Sequence, residues 1–142
     1  MADSPLHLVK PLTYMNGSGE VLAAVLRRAR ATFEDVVVVC DSLDLPTGQC
    51  RVRTRGSAGG QKGLESIIRY AGTSDLVRIV IGIGRPPSRE QVVSYVLARP
   101  GAGEAAAFES AVEQATDALL RLPRDGTERV MNEINRKAPA QG

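Results

Sequence analysis

Two apolar runs constrain this 142-residue chain more than anything else in it. Val36 to Cys40 is continuously apolar, with no alternation, and Leu76 to Ile83 reads as a second strand of the same kind. A strand with one wet face alternates. One that does not is buried on both faces, and that requires helices on both sides of a sheet. The segments between the runs supply helices. Val21, Leu22, Val25, Leu26 and Ala29 recur at helical spacing within 18–30, with Arg27, Arg28 and Arg30 in the last turn, where cations suit the helix dipole. Leu64, Ile67, Ile68 and Ala71 do the same over 61–71. A short helix is predicted around Val92, Val93, Val96 and Leu97, and an Ala-rich one over 103–122 with Phe108, Val112, Ala115 and Leu119 in register. A last helix runs through Val130, Met131 and Ile134. Strands alternating with helices predict a layered α/β domain.

Two further strands are weaker. Leu6 to Val9 reads as a short strand ended by Pro11. Gln49 to Thr54 alternates, with Cys50, Val52 and Thr54 pointing one way and Arg51 and Arg53 the other, so one face is apolar and one cationic. Cys40 and Cys50 lack metal-type spacing and are expected as buried free thiols. The length fits one domain over 1–142, with residues 136–142 as a disordered tail. No apolar stretch approaches the ~20 residues that span a bilayer, and no secretory signal is visible, which places the chain in the cytoplasm. The net charge of +2 is unevenly spread. Residues 51–100 hold 9 basic and 3 acidic groups between mildly acidic flanks. A solvated face and an RNA-binding face both fit such a block.

Three polar turns end strand patterns: Pro11 to Gly19, Asp41 to Pro46, and Gly56 to Leu64. Strand ends are where open α/β sheets place ligand sites. The glycine loop before 61–71 suits an anion at a helix N-terminus, or is a tight turn without ligand. It is not a GxxxxGK[ST] loop, because Gly63 follows Lys62. Asn16 is a helix cap or a site residue. Asp41 orients a histidine or caps the following turn with Asp44. His7, the only histidine, reads as an ordinary strand residue. No Ser-His-Asp arrangement, metal-ligand cluster or glycosidase pair of carboxylates can be assembled.

Taken together, these segments resemble the bacterial-type peptidyl-tRNA hydrolase family, from about Leu8 to Asn135. VKPLTYMNGSGE is similar to the signature KPxTYMNxSG. VVVCDSLDLPTGQCRVRTRGSAGGQKGL is similar to a second signature with a DxLDLP turn and a GSxGGHNG loop, and IGIGRP and GTERVMNEIN resemble downstream stretches. The resemblance implies a three-layer αβα domain with a mixed central sheet. It also implies a cytoplasmic, monomeric hydrolase that rescues stalled translation by cleaving the ester of peptidyl-tRNA, with no cofactor and no metal. Tyr14 and Asn16 match aromatic and asparagine contacts to tRNA and peptide. Asp41 matches the carboxylate that supports the catalytic histidine, and Asn16 helps to position the peptide carbonyl. Arg51 and Arg53 match basic positions on the tRNA backbone. Lys62 replaces the substrate-binding asparagine of the His-Asn-Gly triplet, so a group that donates and accepts becomes one that only donates.

The family's catalytic histidine lies in an Arg-His-Asn-Ala-Gly segment with no counterpart here, and His7 aligns elsewhere. The expectation is therefore an N-terminally truncated chain without family-like turnover, prone to self-association through exposed sheet surface. Two alternatives stand beside it. One is a catalytically dead RNA-binding protein of the same fold. The other is an interaction remnant whose missing strand comes from another chain.

Overall fold

The computed structural model describes residues 6–12, 17–59, 61–84 and 102–137. In chain order the elements are helix α1 (Ser18–Ala29), a 3-10 turn (Phe33–Asp35), strands β1 (Val37–Ser42) and β2 (Cys50–Arg53), helix α2 (Lys62–Ala71), strand β3 (Val77–Gly82), and helices α3 (Ala102–Asp125) and α4 (Thr127–Lys137). The three strands form one sheet in the order β1-β3-β2. The fold is α/β, with helices and a mixed sheet.

The chain divides into two compact units. The first comprises Met1–Val38 and Arg53–Arg78, the second Val39–Val52 and Ile79–Gly142, so the boundary cuts all three strands.

In the first unit α1 and α2 pack together as their periodicities predict. Leu26, Leu64 and Ile67 are buried, while Ala29, at the end of the expected face of α1, is exposed. The Gly19 N–H donates to Ser66 Oγ at 2.9 Å, in a buried contact between the two helices. A side chain at Gly19 would fall on the Ser66 carbonyl and the Tyr70 ring. Gly17 occupies the N-cap position of α1, and Arg30 ends that helix in the left-handed region at φ 55°. Before β1, a capping box closes the 3-10 turn: Asp35 Oδ2 accepts from Thr32 N–H at 2.9 Å and Thr32 Oγ1 accepts from Glu34 N–H at 3.3 Å.

In the second unit α3 and α4 pair through Gly126, whose φ of +88° turns the chain between them. Ala111, Ala115, Ala118 and Leu122 are the buried stripe of α3, and Val130 and Ile134 that of α4. Of the four residues expected to face inward from α3, Ala115 is buried, Phe108 and Leu119 are half-buried, and Val112 is exposed. Arg121 lies at the centre of an ion cluster, with Asp125 at 2.9 Å, Asp117 at 3.4 Å and a still shorter bond to Glu133. These contacts hold the Asp125 and Glu133 carboxyls below the usual carboxylate range, the Arg121 hydrogen bond being the main cause in each case. Asn135 closes the outer edge of β2: its Oδ1 accepts from Val52 N–H at 2.9 Å and its Nδ2 donates to Val52 C=O at 3.0 Å. A side-chain amide thus takes the place of a neighbouring strand's peptide.

Four expectations are corrected. Residues 6–12 are not a strand, and Leu6, Leu8 and Val9 are exposed. A strand needs a hydrogen-bonding neighbour, which local composition does not provide. β1 is not buried on both faces. It is an edge of the sheet, Val39 is 48% exposed, and the strand continues through Asp41 to Ser42 instead of stopping at Asp41. β3 is the central strand and fits the buried reading, with Ile79 and Val80 in the core. Cys50 is a buried free thiol whose pKa burial pushes up to about 11, whereas Cys40 is only half-buried. α4 runs through Arg136 and Lys137, where the tail was expected to begin. The helix predicted at 92–97 and the tail at 138–142 lie outside the described residues.

Candidate active site

Asp41 is the penultimate residue of β1. It is half-buried, and its carboxylate has no partner among the described residues. The turn that follows is capped by Ser42 rather than by Asp41: Ser42 Oγ accepts from Asp44 N–H at 3.0 Å. That removes the capping role considered for Asp41.

The turn is fastened to the end of β3 by three backbone bonds. Gly82 N–H donates to Gln49 C=O at 2.9 Å, Ile83 N–H to Ser42 C=O at 3.0 Å, and Gly84 N–H to Leu45 C=O at 2.9 Å. Leu45 is buried beneath the turn. Gly82 permits this approach, since a Cβ there would strike the Pro46 carbonyl and the Leu45 side chain. The Asp41 backbone is therefore set by a rigid corner, while its side chain stays available.

In the first unit Lys62 is the first residue of α2, with a side chain 72% exposed. Its one ion pair, to Glu65 at 3.9 Å, is a surface contact that holds it weakly. Gln61 caps the helix: its Oε1 accepts from Leu64 N–H at 2.7 Å and its carbonyl from Glu65 N–H at 3.0 Å. The departure from His-Asn-Gly thus gives Gln61 a structural role and leaves Lys62 as an exposed, loosely paired cation at the positive end of a helix dipole. Such a place suits a phosphate or a polarised oxygen.

Along β2, Cys50 and Val52 are fully buried, Arg51 is half-buried and Arg53 exposed. The alternation puts both arginines on the face opposite the core residues, as the sequence predicts. Tyr14 and Asn16 lie outside the described residues. His7 is exposed in a segment without regular structure. Among the described residues no group of three or more His, Cys, Asp or Glu could hold a metal ion. No described helix is long and apolar enough to cross a membrane.

The sequence pattern of one protein family, "Peptidyl-tRNA hydrolase", matches residues 1–141. The chain belongs to this family. It is 48% identical over 130 residues to the peptidyl-tRNA hydrolase of Bacillus subtilis, covering 92% of this chain and 69% of that protein. It is 42% identical over 130 residues to that of Aquifex aeolicus, covering 92% of this chain and 68% of that protein. The crystal structure of peptidyl-tRNA hydrolase from Acinetobacter baumannii superposes with a TM-score of 0.82 at 32% identity, over 92% of this chain and 66% of that one. The chain thus spans about two thirds of the length of these relatives. The comparisons do not show the expected N-terminal truncation.

Four residues whose side chains bond backbone groups escaped the sequence reading: Ser42, Gln61, Arg78 and Asn135. Ser42 stands two residues before Asp44, the spacing of a serine turn. Arg78 is the one charge in the run from Leu76 to Ile83. Asn135 follows Ile134 on the apolar side of α4, where an amide must find a partner.

Proposed function

We propose that this chain serves the hydrolysis of peptidyl-tRNA, releasing free tRNA and peptide. The observation that carries the reading is Asp41: a half-buried carboxylate at a strand end, fixed by a turn tied to β3 and without a partner among the described residues. A carboxylate so placed holds an imidazole in one tautomer by accepting its Nδ1–H, and stabilises the cation formed when Nε2 takes a proton. A histidine so held is the base. It removes a proton from water, and the resulting hydroxide attacks the ester carbonyl carbon. The tetrahedral intermediate then collapses, the bond to the tRNA 3′-terminal ribose oxygen breaks, and that oxygen takes up the proton. Asn16 and Tyr14 position the peptide and the tRNA end. Lys62 offers its ammonium to a phosphate or carbonyl oxygen, and Arg51 with Arg53 meets the tRNA backbone. Identity above 40% to named peptidyl-tRNA hydrolases supports the reading.

The test is release of N-acetyl-aminoacyl groups from tRNA by the purified chain, by its His7→Ala variant, and by the chain joined to a family histidine-bearing segment. Turnover appearing on addition of that segment supports the proposal, whereas turnover of the unextended chain that survives His7→Ala would overturn the histidine mechanism. Turnover abolished by His7→Ala would assign the base to His7. Binding of tRNA without turnover in every form would favour an RNA-binding protein instead.

A further inference from the structure

Arg78 lies on the central strand, where the neighbouring core residues are aliphatic. It is 2% exposed. Its guanidinium donates to backbone carbonyls on both sides of α2. On one side Nη1 reaches Gly56 C=O at 2.8 Å and Ser57 C=O at 3.2 Å. On the other, Nη2 reaches Ser74 C=O at 2.6 Å and Nε reaches Leu76 C=O at 3.2 Å. A buried guanidinium is costly unless its donors are met, and an aliphatic residue would fill a strand core at lower cost. What only the planar fork supplies is simultaneous hold on carbonyls from two chain segments.

The held loop leads to Lys62 by an unbroken set of bonds. Ala58, next to Ser57, accepts from Gln61 N–H at 3.1 Å, and Gln61 caps the first turn of α2 through its carbonyl and its Oε1. Gly56 sits at φ +124°, a region open to glycine and adopted freely in an unheld chain. A loop with several glycines keeps one shape only when something outside it fixes the backbone.

We propose that Arg78 is a positioning residue for substrate: it fixes the loop ahead of α2, and through Gln61 it presents Lys62 to the tRNA backbone. The proposal rests on the reading of the site given above and extends it to a residue that touches no substrate.

The test is a double-mutant cycle on tRNA binding at low salt, using uncharged tRNA as probe with Arg78→Met, Arg78→Lys, Lys62→Ala and the combinations. Amide hydrogen exchange over the loop and the first turn of α2 is followed in parallel. Arg78→Met is expected to weaken binding about tenfold when Lys62 is present and little in the Lys62→Ala background. Loop amides should exchange faster in both Arg78 variants. Arg78→Lys retains the charge and some of the carbonyl contacts, and should recover part of the affinity. If Arg78→Met does not fold, the Arg78→Lys and Lys62→Ala cycle decides alone. Equal losses in both Lys62 backgrounds, or unchanged affinity and exchange, would overturn the proposal and leave Arg78 a core residue. If the unaltered chain fails to bind tRNA, the reading of the site fails instead. Exchange rates then decide whether Arg78 braces the loop at all.

Discussion

Arg78 in the first unit and Arg121 in the second carry the same guanidinium in opposite surroundings. Arg78 is buried and donates to four backbone carbonyls. Arg121 keeps 18% of its side chain exposed and meets three carboxylates from two helices. The first arrangement dictates the path of a loop. The second fastens one helix to the next and depends on carboxylates staying ionised in partly wet surroundings. The first unit thus uses a buried charge to shape backbone next to a candidate binding residue. The second uses its charges as removable ties away from Asp41 in sequence.

The largest effect that would sharpen this contrast is on Arg78. Arg78→Met should cost about 2–4 kcal/mol of unfolding free energy, because loop and turn carbonyls lose their donors together. Urea melts check this, and a loss under 1 kcal/mol would put Arg78 on the same footing as a surface charge. Gly19→Ala comes next, at about 1–3 kcal/mol, since the added methyl meets the Ser66 carbonyl, which is backbone and cannot rotate away. The same melts would read it, and a neutral result would mean that α1 and α2 separate freely.

For Arg121 the expectation concerns pH. Asp125 and Glu133 have lowered pKa values in the folded state, so their contribution is present above the unfolded carboxylate pKa and is lost as pH falls through the folded values. Stability should therefore drop on acidification below about pH 4, and Arg121→Met should flatten that dependence. Parallel pH profiles for the two proteins would remove the cluster from the account. The smallest effect is at Arg30, which holds φ 55° at the end of α1. Arg30→Gly should raise stability by up to about 1 kcal/mol, seen as a slightly higher Tm.

Periodicity carried most of the fold. α1, α2, α4 and β3 were legible because apolar spacing directly reflects which side chains leave water. β1 was misjudged because Val36 to Cys40 reads alike on an edge and in the middle of a sheet; strand order is a long-range property. The stripe of α3 reads through Phe108, Val112, Ala115 and Leu119. The structure buries Ala115 as read, and with it Ala111 and Ala118, whose small size suits close helix packing. At the candidate site, the strand-end position of Asp41 and the helix-start position of Lys62 were legible from where apolar runs stop. Ser42, Gln61 and Arg78 were not, because each acts on backbone groups brought near it only by folding.

The central claim is that Asp41 orients a catalytic histidine, and steady-state kinetics of Asp41→Asn tests it most directly. The comparison is made in whichever form of the protein turns over N-acetyl-aminoacyl-tRNA, with tRNA affinity measured alongside. An asparagine keeps the shape of the aspartate but removes the charge that favours the imidazolium. The account predicts a fall in kcat of about 10²–10⁴-fold with KM and tRNA affinity nearly unchanged. A kcat equal to that of the unaltered protein would contradict it.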